Sequence, residues 1–413
     1  MPVIRPFKCV RPAKDKVSAI AALPYDVYNR KEAKEVVKNN PLSFLKIDRP
    51  ETQFSDDVDM YSPEVYVRAR QTLEEMIGDG SFVADEEVCF YLYALTYEGR
   101  SQTGIVGCAS VDDYLNGVIR RHENTKEDKE QDRIRHVDTM NAQTGPIFLA
   151  YRSLPELERI IRKTKEEKPL YDFTSEDGIL HQVWKIGADS EEALRIKEAF
   201  SHIGCVYIAD GHHRAASAVK VALKRRKESL GYDGTEEFNY FLSVLFPAEE
   251  LRIFDYNRVV RAQDGVSLEN ILEGIRKHFY IEENPTVFRP RRKGEIGMYG
   301  GGKWYRLTAH ENLYTGDPVD DLDVSILQDK ILEPLFGIQN PKADPRLSFV
   351  GGIRGLRELE RLSDEAADMA VAFSMYPTSM EELLAVADCA RLMPPKSTWF
   401  EPKLRSGLFI HMF

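Results

Sequence analysis

Apolar residues along this chain come in short runs broken by proline, glycine and charge, and two periods can be read in them. Helical spacing of three and four appears over 30–38, over 63–77 (Val65, Val67, Leu73, Met76), and over the strongly charged stretch 126–140. It recurs over 190–201, 268–278 and 325–336. Strand-like runs occupy 88–97, 103–109, 146–151, 183–186, 206–209 and 238–246. Glu98-Gly99-Arg100-Ser101 reads as a hairpin turn, and 296–307 reads as a hairpin around Gly300-Gly301-Gly302. The run Phe44-Leu45-Lys46-Ile47 reads as a strand closed by Asp48-Arg49-Pro50. Strands and helices interleave without an internal repeat, so the pattern predicts a mixed α/β, α+β fold.

A length of 413 residues exceeds one ordinary core. The restart of the pattern near 265 suggests an N-terminal α/β section (1–115), a central core (116–262) and a C-terminal α/β section (263–413). Hydrophobic residues at 43% and charged residues at 30% exclude disordered and collagen-like classes. A formal charge of -11 speaks against a general nucleic-acid binder while leaving room for a local basic pocket. The five cysteines, Cys9, Cys89, Cys108, Cys205 and Cys389, are scattered and form no Cys-x-x-Cys pair, so reduced thiols are expected. No run approaches the ~20 apolar residues of a membrane span. The expectation is a cytoplasmic protein without membrane contact.

The chemistry concentrates in two places. In Cys205–Arg214, β-favouring residues end at Asp210-Gly211 and lead into a helix with Ala215, Ala218, Val219 and Ala222 on one side. Asp210 is placed to cap that helix, and Gly211 lets the backbone approach a ligand. The helix N-terminus, Arg214 and the imidazoles of His212 and His213 together favour a phosphate. The same residues also read as an ordinary capped turn with surface histidines. The second place is Arg120-Arg121-His122-Glu123-Asn124-Thr125. Thr125 with Asp128 forms a helix start, which leaves Glu123 on a loop among cationic groups. A carboxylate placed there can accept a proton from a substrate hydroxyl, or can belong to a surface ion-pair network. The phosphate loop Gly-x-x-x-x-Gly-Lys-Ser/Thr, the dinucleotide fingerprint, the nucleophile elbow and the zinc-protease motif are all absent.

Several segments taken together resemble the DUF1015 family of prokaryotic proteins. They are Pro24-Tyr25-Asp26-Val27, Asp48-Arg49-Pro50-Glu51, His122-Glu123-x-Thr125, Gly145-Pro146-Ile147, Asp210–Arg214, Tyr256–Val260 and Pro394–Lys403. More distantly, the middle section is similar to the ParB/sulfiredoxin superfamily, including an archaeal free-serine kinase. That resemblance implies a central nucleotide-binding core. Glu123 would be the base, and Asp210, Gly211, His212, His213 and Arg214 would bind phosphate, with Asp210 also a metal partner. The metal ligands are otherwise unassigned. His122, Thr125, Asn257, Arg258, Lys396, Ser397 and Thr398 would line a substrate pocket. The implied activity is transfer of a phosphoryl group from ATP or ADP, with Mg²⁺, to the hydroxyl of a small acceptor such as free L-serine. The alternative it implies is a nucleotide-binding regulatory or scaffold protein. His212 stands where sulfiredoxin carries its cysteine, which speaks against sulfinic-acid reduction.

Overall fold

The computed structural model describes residues 1–125, 127–263, 265–366 and 368–413, without the side chains of Asp128 and Lys129. Within them the chain is mixed α/β and forms two compact units. Met1–Leu251 with Pro402–Phe413 makes the first, and Arg252–Glu401 makes the second.

The first unit is built on a nine-stranded sheet: β1 Ile4–Arg5, β2 Cys89–Tyr97, β3 Arg100–Ser110, β4 Ile119–Arg120, β5 Ile147–Tyr151, β6 Tyr171–Thr174, β7 Leu180–Gly187, β8 Val206–Asp210 and β9 Tyr240–Pro247. The strand order is β4-β8-β5-β9-β3-β2-β7-β6, with β1 also paired to β3. This sheet takes strands from both sides of residue 115. β4 runs parallel to β8, and β5 parallel to β9, while the hairpin β2–β3 turns through Glu98 and Gly99, both at positive φ. β2, β5 and β9 are buried along nearly their whole length, which explains why their sequences are continuous apolar runs rather than alternating ones.

Six longer helices belong to this unit: α1 Arg30–Asn39, α2 Pro63–Gly78, α3 Glu127–Met140, α4 Pro155–Thr164, α5 Glu191–Ser201 and α6 His212–Glu228. Their starts follow local chemistry. α1 has a capping box between Asn29 and Glu32, α4 has proline at its first position, and α5 is capped by the Ser190 hydroxyl on the Ala193 amide. The helix start read at Thr125 and Asp128 involves Lys126 and the Asp128 side chain, which lie outside the described residues. One core joins the sheet to α4, α5 and α6 through residues such as Leu149, Ile208, Leu157, Ile196 and Ala215. A second core gathers Phe44, Leu45, Ile47, Leu73, Met76, Phe82 and Ile410.

The segment expected as a strand at 44–47 is instead part of a helical turn, Leu45–Asp48. Phe44, Leu45 and Ile47 are all fully buried, and a short apolar run carries no period that separates the two conformations. A small four-stranded sheet (Phe82–Ala84, Cys9–Pro12, Ile410–Met412, Ala142–Gln143) brings the 402–413 segment back into the first unit.

The second unit holds a six-stranded antiparallel sheet: β10 Tyr256–Arg261, β11 Phe279–Asn284, β12 Glu295–Gly300, β13 Lys303–Ala309, β14 Leu347–Gly351 and β15 Ala370–Met375. The order is β11-β13-β12-β15-β10-β14. The β12–β13 hairpin turns at Gly301 and Gly302, both at positive φ, as the sequence predicts. The helix expected over 325–336 is interrupted. Asp323–Leu327 and Glu333–Phe336 are α-helical, and Gln328–Leu332 between them is a π-helical turn. Pro334, which has no amide hydrogen to give, sits just beyond it.

Gly104 sits in the middle of β3, where an added Cβ would lie 2.5 Å from Val244 Cγ1 and 2.9 Å from the Phe246 ring. Gly104→Ala should therefore lower stability by about 1–3 kcal/mol through overpacking. The urea midpoint measures it, and an unchanged midpoint would mean that the sheet yields at this point.

Candidate functional site

Strand β8 delivers Asp210 to the rim of the first unit's sheet, and Gly211 then turns the chain at φ +93° into α6. The expected cap is not the one formed. Gly211 itself is the N-cap residue, and no side chain caps the helix. Asp210 instead accepts the Gly211 amide on Oδ1 at 2.8 Å and the Lys403 ammonium on Oδ2 at 3.1 Å. The first amides of α6 are therefore left for something other than a side-chain cap. Burial alone would raise the Asp210 carboxyl, but the charges of Lys403 and Arg214 outweigh it and hold the group well below the usual carboxylate range.

Arg214 folds back over this turn. Its Nη1 donates to the Pro146 carbonyl at 2.7 Å. An added Cβ would stand 3.1 Å from its guanidinium at Gly211, and likewise at Gly145. Two residues without side chains thus make a slot in which a planar cation lies beside the helix N-terminus.

The loop after β4 meets the same turn, because β4 pairs in parallel with β8 through Ile119 and Val206. The rings of His122 and His212 touch edge to face, 4.5 Å between centroids. Both are buried, and neither nitrogen of His122 nor Nε2 of His212 has a hydrogen-bond partner among the described residues. Burial lowers His122 to about 4, against an opposing pull from Asp210 and the Ile208 carbonyl. Burial, then the neighbouring His122, takes His212 well below the ordinary imidazole value. Both rings are therefore neutral at pH 7, and not surface groups. Glu123 follows His122 on this loop, half-buried, and His213 is half-buried on the first turn of α6. Thr125 donates to Glu130 Oε2 at 2.7 Å. Glu130 is also paired with Lys220, and its carbonyl accepts the Ser217 hydroxyl at 3.2 Å, which fastens α3 to α6.

The structure therefore brings His122, Asp210, Gly211, His212 and Arg214 to one turn, and Glu123 is the next residue of the chain after His122. Asn257, Arg258, Lys396, Ser397 and Thr398 belong to the second unit. There Asn257 donates to Asp255 at 2.6 Å and accepts the Met375 amide at 2.9 Å, and Arg258 donates to the carbonyls of Lys396, at 3.0 Å, and of Tyr256. Ser397 donates to the Pro394 carbonyl at 2.7 Å, and Lys396, at φ +60°, holds its ammonium 5.6 Å from the Tyr256 ring centre. Burial pushes Arg258 down to about 10.

Sequence reading gave no role to Lys403, 193 positions from its partner Asp210, nor to a cavity beside Arg214 walled by Tyr25, Asp48, Arg133, Thr144 and Ser406. The motifs carrying Tyr25, Asp48 and Lys403 were visible, but nothing local to them says where they converge. Among the described residues no three His, Cys, Asp or Glu side chains are arranged to hold a metal ion. Among the described residues no helix is long and apolar enough to cross a membrane.

Fold and site together define a mixed α/β protein with an uncapped, cation-flanked strand-turn-helix. The chain belongs to the family described as "protein of unknown function (DUF1015)", whose model matches residues 4–325. Among curated proteins none matches. Solved structures similar to this one include a free serine kinase in complex with AMP (14% identity, TM-score 0.36, 74% of this chain and 91% of that one). They also include SbnI from Staphylococcus aureus (13%, 0.36, 74% and 87%) and a conserved hypothetical protein from Pyrococcus furiosus (14%, 0.35, 75% and 95%). Likenesses this low carry no functional assignment, which has to come from the residues of this chain.

Two outcomes are expected. Gly211→Ala should destabilise the fold by about 1–2 kcal/mol, the cost of a left-handed non-glycine residue, and thermal or urea unfolding measures it. The unfolding free energy should also fall as pH drops from about 6.5 towards 4. In that window the unfolded chain takes up protons that the buried imidazoles of His122 and His212 refuse in the folded state, so stability rises with pH. His122→Asn should flatten this slope, and a slope unchanged by the substitution would show that His122 titrates normally.

Proposed function

We propose that this protein is a nucleotide-dependent phosphotransferase acting on the hydroxyl of a small molecule, with free L-serine the acceptor implied by the family resemblance. The observation that carries the reading is the α6 N-terminus. It has no side-chain cap, follows a left-handed glycine, and is flanked by Arg214 and Lys403, so backbone amides and two cations converge where an anion would sit. The phosphates of ATP or ADP fit that chemistry. Phosphoryl transfer asks a protein mainly for positioning and charge neutralisation, which is what such a turn supplies.

In this reading Gly211, His212, His213 and Arg214 hold the phosphates. Asp210 keeps Lys403 in place, the Pro146 carbonyl keeps Arg214 there, and Glu123 is the base on the adjoining loop. The acceptor oxygen forms a bond to the terminal phosphorus as the bond from that phosphorus to its bridging oxygen breaks. The hydroxyl proton passes to Glu123, and the leaving nucleotide keeps the electron pair. Thr125 and His122 frame the base. Asn257, Arg258, Lys396, Ser397 and Thr398 lie in the second unit and have no role in this reading. Both Asp210 oxygens already have partners, and the described residues offer no cage for a divalent ion. A Mg²⁺ would therefore be held largely by the nucleotide's own phosphates, as this ion commonly is.

Glu123→Gln should cut transfer by ~100-fold or more, the scale of a positioned base, with nucleotide affinity retained. Arg214→Ala should weaken ADP and ATP binding by about 10- to 100-fold, the worth of a charged hydrogen bond. Calorimetry and radiolabelled transfer to pooled amino acids and polyols read both. Full turnover in the Glu123 variant removes that residue from the mechanism. Nucleotide binding with no acceptor in the pool would instead favour a nucleotide-responsive regulatory protein.

A further inference from the structure

The second unit holds a cavity of about 480 Å³ against one face of its sheet, within the ~300–1,000 Å³ range of small-molecule sites. Glu282 of β11, Arg306 of β13, Gly297 of β12 and Ser374 of β15 stand opposite one another across the ladders, so they share that face. Gly297 has no side chain there, and an added Cβ would stand 2.9 Å from the Phe288 carbonyl. The segment 285–291 therefore comes down onto the sheet at this point, and residues from it line the cavity. Its position is fixed by direct bonds. The Ser374 hydroxyl donates to the Phe288 carbonyl at 3.1 Å, Arg289 Nη1 donates to Asp255 at 3.3 Å, and the Arg291 amide donates to Glu295 at 3.0 Å. The cavity is thus formed before any ligand arrives.

The charges around it pair off with one exception. Glu295, only 3% exposed, accepts Arg306 Nη2 at 2.6 Å and Arg292 Nε at 3.2 Å. Glu283 pairs with Lys303 at 3.0 Å, Glu282 with Arg306 at 3.5 Å, and Asp255 with Arg289 at 3.3 Å. Each carboxylate thus has a cation of its own, Arg292 answering Glu295 while Arg306 answers Glu282. Arg291 is left over. Its side chain is exposed and makes no hydrogen bond or ion pair among the described residues. Arg289, also exposed, gives Asp255 a single nitrogen and leaves the rest of its fork unused. Two guanidinium forks two positions apart, with buried Pro290 holding the backbone between them, are therefore open to an anion at the cavity. Next to them Val287, Phe288 and Pro290 supply an apolar wall.

We propose that this cavity binds a small phosphate monoester, its phosphate received by Arg289 and Arg291 and its organic body by Val287, Phe288 and Pro290. A carboxylate has two oxygens and is satisfied by one fork. A phosphate monoester carries three terminal oxygens and up to two charges, so it can engage both. Arg306 stays with its glutamates and forms the floor. The site stands apart from the phosphotransferase reading, because every residue in it belongs to the second unit and none to the α6 turn.

Calorimetry on the full chain tests this, with phenyl phosphate, inorganic phosphate and benzoate as probes and ADP titrated separately. Phenyl phosphate should bind about 10-fold more tightly than inorganic phosphate, which has no body to bury against the apolar wall. It should also bind about 10-fold more tightly than benzoate, which has fewer oxygens and less charge for the two forks. Arg291→Ala should weaken phenyl phosphate by about 10- to 100-fold, the worth of a charged hydrogen bond. Val287→Asp should weaken it by about 10-fold or more by setting a like charge beside it. Both positions are exposed, so both variants should fold. The binding lost in Arg291→Ala should persist in Arg214→Ala, and ADP affinity should persist in Arg291→Ala, which separates this site from the phosphate turn. Phenyl phosphate unbound, or bound equally in the parent and both variants, overturns the proposal. Inorganic phosphate bound as tightly as the ester makes this a free-phosphate site, and benzoate bound as tightly makes it a carboxylate site; either result overturns the assignment.

Discussion

The contact between Lys403 and Asp210 is the interaction on which the rest of the site depends. A carboxylate at the end of β8, one residue before an anion-ready helix terminus, would by itself repel a phosphate. With the ammonium 3.1 Å away and Arg214 alongside, that charge is cancelled and the surroundings of the α6 terminus become net positive. The same carboxylate accepts the Gly211 amide, which fixes the turn, so one side chain sets both the electrostatics and the backbone geometry. Gly211 and Gly145 then leave the space in which Arg214 lies.

The two buried imidazoles add a second constraint. Packed edge to face and uncharged at neutral pH, His122 and His212 bind the loop carrying Glu123 to the turn carrying Arg214 without adding positive charge of their own. A neutral imidazole nitrogen donates or accepts according to tautomer, so both choices stay open at His122 and at Nε2 of His212.

Much of this was legible in the sequence, and the limits have physical causes. The strand-turn-helix at 206–222 is local, and its composition announced it. The β2–β3 and β12–β13 hairpins were likewise marked by their glycines. The turn at 44–48 was misread because a four-residue buried run has no period to measure. The cap on α6 was assigned to Asp210 on residue preference alone, although Gly211 can itself adopt the left-handed conformation that starts the helix and frees Asp210 for Lys403. Tyr25, Asp48, Arg133 and Ser406 escaped for another reason. Each is distant from Arg214 in the chain, and only the packing of helical segments onto the first unit carries them to it. The interruption of the 325–336 helix, by contrast, had a visible cause in Pro334.

The return of Pro402–Phe413 to the first unit has a consequence for how the molecule comes into being. The cation that quiets Asp210 is translated only after the whole Arg252–Glu401 unit has been made. A nascent chain that has just finished β9 has Arg214 but not yet Lys403, so the Asp210 carboxylate lacks its direct ion-pair partner. That partner, and the last strand of the small four-stranded sheet, arrive together from one short downstream segment.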